Sequence, residues 1–450
     1  MARALARALA LSSSCILCDT VLSDMRSTQN IVVRAVLLLL LVGLISPLGR
    51  AYSVLTHEEI VDLLWTEQIQ PLLVKRFPAA TQQDLRDAHA YAYGGSVIQD
   101  MGYYPFGNKY FSDLTHYVRS GDFVEALLRD SADVNEYAFA LGALAHYASD
   151  ISGHPVINRI AAIEFPKLHA KYGDQVTYAD DPKAHIRTEF GFDMVQVAKN
   201  RYTSDRYHDF IGFQVAKPLL ERAFLETYNL KLADVFGDED LAIGSYRRGV
   251  SRLIPDMTRV ALLSRRDEIV KDTPNFDRKK FLYYLSRSDY KREWGTVYRK
   301  PGIGARILAF FLKIIPKVGP FSAVNFKIPS KQTEDMYIKS VDSTVESYSS
   351  LLQKLNGGKV DLPNLDLPNL DCDTGRDPRG GEYVLGDKTY ARLVDDLSKQ
   401  SSVPAPLRDD VLQFYANLNA PIATKKDKKA WRKLLEQLSN LHRQVVAPGS

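Results

Sequence analysis

The chain has 450 residues, of which 45% are hydrophobic and 25% charged, a composition typical of a folded globular protein and not of a disordered one. Its formal net charge is +4, and five arginines against two aspartates in the first 51 residues supply +3 of it. The remainder is nearly neutral, so the net charge makes no strong electrostatic case for polyanion binding.

An export signal is expected at the N-terminus. From Met25, a region with two arginines precedes an apolar run over residues 35–45 and a cleavage site after Ala51. The run is too short for a good membrane span. We therefore expect residues 1–51 to be an N-terminal extension and signal peptide, with the true start at Met25, and the mature protein to be secreted or periplasmic. Cleavage would leave Cys372 as the only cysteine, so no internal disulfide is expected.

Helical patterns dominate the mature chain, whereas alternating runs of β-branched residues are scarce. The capping-box pattern Thr56-x-x-Glu59 predicts a helix start beside His57. We therefore predict an all-α fold. Further helices are expected around residues 82–92, 122–130, 214–228, 240–268, 303–315, 332–355, 387–400 and 427–446.

A second capping-box pattern, beginning at Asp133, predicts the helix that carries His146. This segment is rich in alanine and glycine, so its backbone can approach neighbouring helices closely. Pro155, with a glycine two residues before it, predicts that the helix ends near His154.

The helical pattern is interrupted over residues 356–386 by paired glycines, prolines and a tandem Asp-Leu-Pro-Asn-Leu sequence that ends at Leu370. We interpret this stretch as a linker or loop. For the tandem, solvated turns are favoured over a weak calcium loop. The predicted organisation is a helical domain over 52–355, this linker, and a C-terminal helical segment over 387–450.

Histidines and carboxylates follow one another in an order that fits a metal cluster. His146, Asp150 and His154 fall at i, i+4 and i+8, so a helix projects them from successive turns of one face. His185 and Glu189 repeat the i, i+4 spacing. Imidazoles and carboxylates are the ligands of hydrolytic zinc sites, which indicates metal-assisted hydrolysis. The complete series is His57, Asp100, His116, His146, Asp150, His154, His185 and Glu189.

This ordered set resembles the zinc-dependent phospholipase C family, which shares its multi-helix bundle and three-zinc site with the single-strand zinc nucleases. The resemblance covers roughly residues 52–200 and implies the same bundle with a helical C-terminal extension. It implies up to three zinc ions. The implied ligands of the first zinc are Asp100, His116, His146 and Asp150; of the second, His154, His185 and Glu189; of the third, His57, Asp150 and the amine and carbonyl of the mature N-terminal residue, Tyr52.

One spacing departs from the best-known members of that family. The step from Asp150 to His154 is four residues, where the bacterial phospholipases and the nucleases have six. The shorter step is similar to the catalytic domain of glycosylphosphatidylinositol-specific phospholipase D. Since these branches cut different bonds of the phosphodiester, the resemblance leaves the cleaved bond open.

The function expected from these residues is that of an exported zinc phosphodiesterase acting on phospholipid or glycolipid head groups. Asp100 is expected both to bind zinc and to act as the base toward the attacking water. No protein partner is expected. Peripheral membrane contact is possible at two segments but is not the favoured interpretation of either. The basic run at Lys425 with Trp431 is better explained as a solvated helix start, and residues 303–317 as a buried helix.

Two alternatives are open. A non-catalytic secreted helical protein would hold structural zinc or none. A single-strand zinc nuclease of the same fold would need aromatic side chains beside the metals to stack bases. The aromatic candidates are Tyr91, Tyr93, Tyr103, Tyr104 and Phe106.

Residues with hydroxyl groups lie between the predicted ligands in the sequence and could orient them, although helix neighbours at i+1 more often point elsewhere. These residues are Tyr147, Ser149, Ser152 and Thr188. The histidines expected to be structural or exposed are His89, His169, His208 and His442.

Overall fold

The computed structural model describes residues 54–198, 213–250, 328–358 and 364–443. Every regular element in these ranges is helical and none is a strand, so the predicted all-α fold is confirmed. No helix in these ranges combines the length and apolarity needed to cross a bilayer. The expectations that lie outside the described residues are the signal peptide, Tyr52, His208, the helix at 303–315 and the part of 240–268 after residue 250.

The first half of the bundle runs from Val54 to Val250. A π-helical turn, Trp65–Ile69, joins the first two helices, and a 3₁₀ turn, Ile98–Tyr103, follows the third. The helices are α1 (Val54–Leu64), α2 (Gln70–Arg76), α3 (Gln82–Ser96), α4 (Lys109–Tyr117), α5 (Ser120–Asp130), α6 (Val134–Glu164), α7 (Pro166–Tyr172), α8 (Pro182–Ala198), α9 (Lys217–Tyr228), α10 (Leu232–Phe236) and α11 (Glu239–Arg248).

The second half begins at residue 328. Its helices are α12 (Lys331–Gly357), α13 (Val384–Leu397), α14 (Ala405–Phe414) and α15 (Lys428–Arg443), with a 3₁₀ turn at Ala423–Lys426. Helix α12 packs against α6 and α1, and α13 packs against α4. The C-terminal helices therefore contact the same bundle as the N-terminal ones.

Helix α6 packs against α3, α5, α8 and α12, and its approach to α3 is unusually close. A Cβ atom at Gly142 of α6 would lie 2.0 Å from the carbonyl oxygen of Ala92, and one at Gly95 of α3 would lie 1.9 Å from that of Phe139. Only glycine fits at such distances, because neither backbone can yield. The close approach brings the last carbonyl groups of α3 against the inner face of α6.

Helix α6 continues through Pro155 to Glu164, so the prediction that it ends near His154 is wrong. Proline removes the one N–H that would bond the carbonyl of Ile151, and the helix tolerates this loss because another segment packs on that turn. Gly375 lies there with a φ of +67°, and a Cβ atom on it would be 2.7 Å from the Ile151 carbonyl oxygen. The face of α6 that carries the predicted ligands His146, Asp150 and His154 is therefore uninterrupted.

The two predicted helix starts have different outcomes. Asp133 caps α6 as predicted, since its carboxylate accepts two backbone N–H groups of the first turn. The capping role predicted for Thr56 is wrong, because α1 has already begun at Val54. The Thr56 hydroxyl instead donates to Asp193 of α8 at 2.8 Å, a contact between helices that no local pattern encodes.

The loop between α12 and α13 is packed onto α5. The backbone N–H groups of Leu365 and Leu367 donate to Oε1 of Glu125 at 2.8 and 3.2 Å, and the Ser120 hydroxyl donates to the carbonyl of Leu370 at 2.6 Å. Both leucine side chains are buried. The described part of the tandem is thus a packed loop and not a pair of solvated turns.

The glycine contact between α3 and α6 predicts that Gly142→Ala lowers the free energy of unfolding by at least about 2 kcal/mol, because the added methyl overlaps a backbone carbonyl. Gly244→Ala in α11 is the matched control, since no described atom lies within 4 Å of its Cβ position. That substitution should leave stability unchanged or raise it by up to about 1 kcal/mol. Chemical denaturation of both variants measures the difference, and equal effects would contradict the packing argument.

Candidate metal centre

The eight predicted ligand side chains within the described residues converge inside the bundle, on α1, the 3₁₀ turn after α3, α4, α6 and α8. Each of them is at most 3% exposed. They form three groups in which the candidate ligand atoms lie within 4.8 Å of one another. The groups are His57, His146 and Asp150; Asp100, His116 and His146; and His154, His185 and Glu189.

Asp150 belongs to the first group and also lies close to His116 of the second. Its Oδ2 is 3.2 Å from Nε2 of His116 and 3.1 Å from Nε2 of His146, and its Oδ1 is 3.7 Å from Nε2 of His57. Despite this proximity, neither oxygen makes a well-oriented hydrogen bond within the described part of the chain. Oxygen and nitrogen lone pairs that converge without hydrogen bonds fit a shared cation between them.

Backbone carbonyls orient two of these imidazoles. Nδ1 of His116 is 2.7 Å from the carbonyl oxygen of Ser112, and Nδ1 of His146 is 2.9 Å from that of Ser96. A ring that donates from Nδ1 presents the lone pair of Nε2, and both Nε2 atoms face Asp150. The Ser96 carbonyl is within reach because α3 and α6 approach so closely.

The third group joins α6 to α8. Nε2 of His185 lies 2.7 Å from Oε1 of Glu189, one helical turn further on. The rings of His154 and His185 are nearly perpendicular, with centroids 5.3 Å apart. The continuous α6 is what brings His154 to this position.

The buried acids of the centre affect each other strongly. Burial, followed by repulsion from Asp100 and Asp150, raises the pKa of Glu189 well above its ordinary value. Burial would lower the pKa of His146, but the Asp150 carboxylate raises it to about 9. Burial would likewise raise the pKa of Asp150, yet His146 and His154 hold it well below its usual range. So much negative charge in a dry site favours bound cations.

One buried carboxylate beside the centre was missed by the sequence analysis. Oδ1 of Asp373 lies 2.8 Å from Nδ1 of His154. Asp373 belongs to a turn closed by a backbone pair between Asp371 and Arg376, far along the chain from Glu189. No motif surrounds it, so a single sequence carries no signal for this contact.

The hydroxyl groups considered as supports hydrogen-bond to backbone carbonyls rather than to the ligand side chains. Their acceptors are Pro368 for Tyr147, Ala145 for Ser149, Ala148 for Ser152 and Ala184 for Thr188. Tyr147 thereby holds the loop before α13, Ser149 and Thr188 bond within their own helices, and Ser152 also hydrogen-bonds to the hydroxyl of Thr344 in α12 at 2.8 Å. His89, expected to be structural, bonds Asp62 at 2.9 Å and stacks on Trp65.

The donor set therefore fits zinc, since buried imidazole nitrogens and carboxylate oxygens in groups of three are its usual protein ligands. The model of the zinc-dependent phospholipase C family matches residues 56–237. No curated protein and no solved structure matches the chain. The matched range contains the predicted ligands from His57 to Glu189, whereas Asp373 lies well beyond it.

The repulsion at Glu189 predicts opposite effects of Glu189→Gln with and without zinc. With excess zinc the variant should lose about 3–4 kcal/mol of stability, the contribution of a ligand present at several hundred times its Kd. With chelator the variant should be at least as stable as the wild type. Its advantage in stability should grow as the pH rises above about 4.5, because ionising a carboxyl whose folded-state pKa is raised disfavours folding.

Denaturant titrations from pH 5 to 8, with zinc and with chelator, measure both effects. Glu67→Gln, at an exposed position of the π-helical turn, serves as the control and should show no zinc-dependent difference. Equal destabilisation of Glu189→Gln in zinc and in chelator would contradict a metal-binding role.

Proposed function

Because residues 56–237 of this chain belong to the zinc-dependent phospholipase C family, we propose that the protein is an exported zinc phosphodiesterase that hydrolyses phospholipid or glycolipid head groups. The observation that carries the proposal is the set of three adjacent histidine and carboxylate groups, two of which share His146. Such adjacency suits a phosphodiester, whose attacking and leaving oxygens both need stabilisation.

Within this proposal the metal ligands are those implied by the family. When bound, zinc makes a water molecule nucleophilic at neutral pH and neutralises the phosphoryl oxygens. The carbonyls of Ser96 and Ser112 keep two of the imidazoles in the tautomer that binds metal. The rings of His116 and His146 are thus oriented by the protein itself.

Asp100 is the proposed base. Its Oδ1 lies 3.5 Å from Nε2 of His116, and the residue is buried. In the proposed step the water oxygen forms a bond to phosphorus while a proton passes to Asp100, and the bond between phosphorus and the leaving alcohol oxygen breaks. The same proton is then available to the departing oxygen.

The burial of the aromatic candidates supports lipid over single-stranded nucleic acid as the substrate. Tyr93, Tyr103 and Tyr104 are 3–4% exposed and Tyr91 is partly buried. Of the five candidates, Phe106 alone is largely exposed, at 59%. Rings that fill the core are not open to stack a base, which is what the nuclease alternative requires.

The test is hydrolysis of phosphatidylcholine and phosphatidylinositol vesicles beside single-stranded DNA. We expect the secreted protein to hydrolyse the lipid and to leave the DNA intact, and release of phosphorylated head group with diacylglycerol would indicate cleavage of the phospholipase C type. Asp100→Asn should lower kcat at least about 100-fold, the usual contribution of a positioned base. Release of the unphosphorylated head group would instead indicate cleavage on the other side of phosphorus. Cleavage of DNA without lipid hydrolysis would refute the proposal.

The resemblance to the family also implies that the amine and carbonyl of the mature N-terminal residue, Tyr52 in this chain, bind one zinc, so the proposed export would complete the site. A variant with one extra residue ahead of Tyr52 should hold about two zinc ions, against about three in the native form. Elemental analysis measures this, with one residue added after Ser450 as the control. Equal zinc contents in all three proteins would show that the N-terminal amine is not a ligand.

A further inference from the structure

We propose that Asp373, contributed by the loop between α12 and α13, is a positioning residue that fixes His154 for metal binding. The proposal rests on the proposed zinc site, and it extends that site to a residue outside the range that matches the family. It deepens the proposed function by making the C-terminal half of the chain part of the metal centre.

The first observation is the contact itself. Oδ1 of Asp373 lies 2.8 Å from Nδ1 of His154, and both side chains are at most 1% exposed. In this structure the pair is a close charge contact without the alignment of a linear hydrogen bond. Such contacts commonly align when an active site binds its ligand. Asp373 is not a member of the group of mutually close ligand atoms formed by His154, His185 and Glu189, although it contacts the His154 ring.

The second observation is how firmly the carboxylate is held. Its Oδ2 accepts hydrogen bonds from the hydroxyl of Tyr117, at 2.7 Å, and from that of Tyr383. Its backbone carbonyl accepts a hydrogen bond from the side-chain amide of Asn158 at 2.9 Å. With one oxygen occupied by two phenols, the other is directed at His154. This arrangement leaves the aspartate little freedom.

The third observation is the shape of the turn that carries Asp373. Oδ1 of Asp371 accepts the backbone N–H groups of Asp373 and Thr374, at 3.0 and 2.9 Å. The N–H of Cys372 donates to the carbonyl of His116 at 3.0 Å, which ties the turn to α4. Gly375 seats the same turn on α6 one helical turn before His154. The loop is therefore attached to two ligand-bearing helices.

These contacts assign a tautomer to His154. A carboxylate facing Nδ1 keeps the proton there and leaves the Nε2 lone pair for the metal. His116 and His146 achieve the same with backbone carbonyls, whereas His154 uses a charged acceptor. A carboxylate makes the imidazole a stronger ligand than a carbonyl does. His154 would thus bind zinc through Nε2 with its basicity raised by Asp373.

The test measures zinc affinity on the full secreted chain with a competing chromophoric chelator. Asp373→Asn should raise the Kd of one zinc about 10–100-fold and leave the other ions unchanged, because the asparagine amide must turn its nitrogen toward either the phenols or the imidazole. Cobalt substitution should show a changed visible spectrum for that one ion. The control is Asp377→Asn on the same loop, whose carboxylate is 71% exposed and should keep the wild-type affinity.

A second measurement, in the His154→Ala protein, separates an effect of Asp373 on the position of the ring from a general effect on stability. In His154→Ala, which lacks the ring, Asp373→Asn should have no further effect on zinc affinity. Should Asp373→Asn fail to fold, the double variant Tyr117→Phe and Tyr383→Phe keeps the carboxylate but removes the two hydrogen bonds that hold it. Binding of the same zinc ion should then be weaker. Wild-type zinc affinity in the folded Asp373→Asn protein, or in that double variant, would overturn the proposal. A wild-type chain that binds no zinc would instead refute the proposed function.

Discussion

Buried negative charge is the constraint on which this structure depends. Asp100, Asp150, Glu189 and Asp373 all lie at most 3% exposed around one centre, and ionised carboxylates in a dry site repel one another. Protein groups relieve part of this repulsion, since the imidazoles beside Asp150 hold its pKa down. At Glu189 the repulsion is not relieved by the chain itself. Divalent cations bound at the proposed zinc site would remove this repulsion, and their binding would then be coupled to folding of the bundle.

The helices are shaped by the need to present these groups together. Helix α6 carries three of the predicted ligands over its 31 residues, and it stays regular through Pro155, where a glycine turn packs on the weakened position. Its glycine contact with α3 supplies the carbonyl that orients His146. Small residues, which look like ordinary helix packing, thus determine which ring nitrogen faces the centre.

How much of the structure the sequence could predict depended on how far apart along the chain the interacting residues lie. The i, i+4 spacing of His146, Asp150 and His154 was enough to place them on one face, because that face is a property of the helix alone. The all-α fold followed from the same periodicity. Thr56 was misread, since its hydroxyl satisfies a partner on α8 rather than its own helix. The end of α6 was misread for a similar reason, because Gly375 acts from more than 200 residues away. Asp373 was missed because nothing near it in the chain marks it.

The turn that carries Asp373 also constrains the order of folding. Its bonds to Tyr117 and Asn158 span 256 and 215 residues, so forming them costs the loop-closure entropy of a large part of the chain. During synthesis the N-terminal helices emerge long before this turn exists. The ring of His154 consequently cannot meet its carboxylate partner until most of the chain has been synthesised, so the order of synthesis separates the predicted ligands from the residue that contacts one of them.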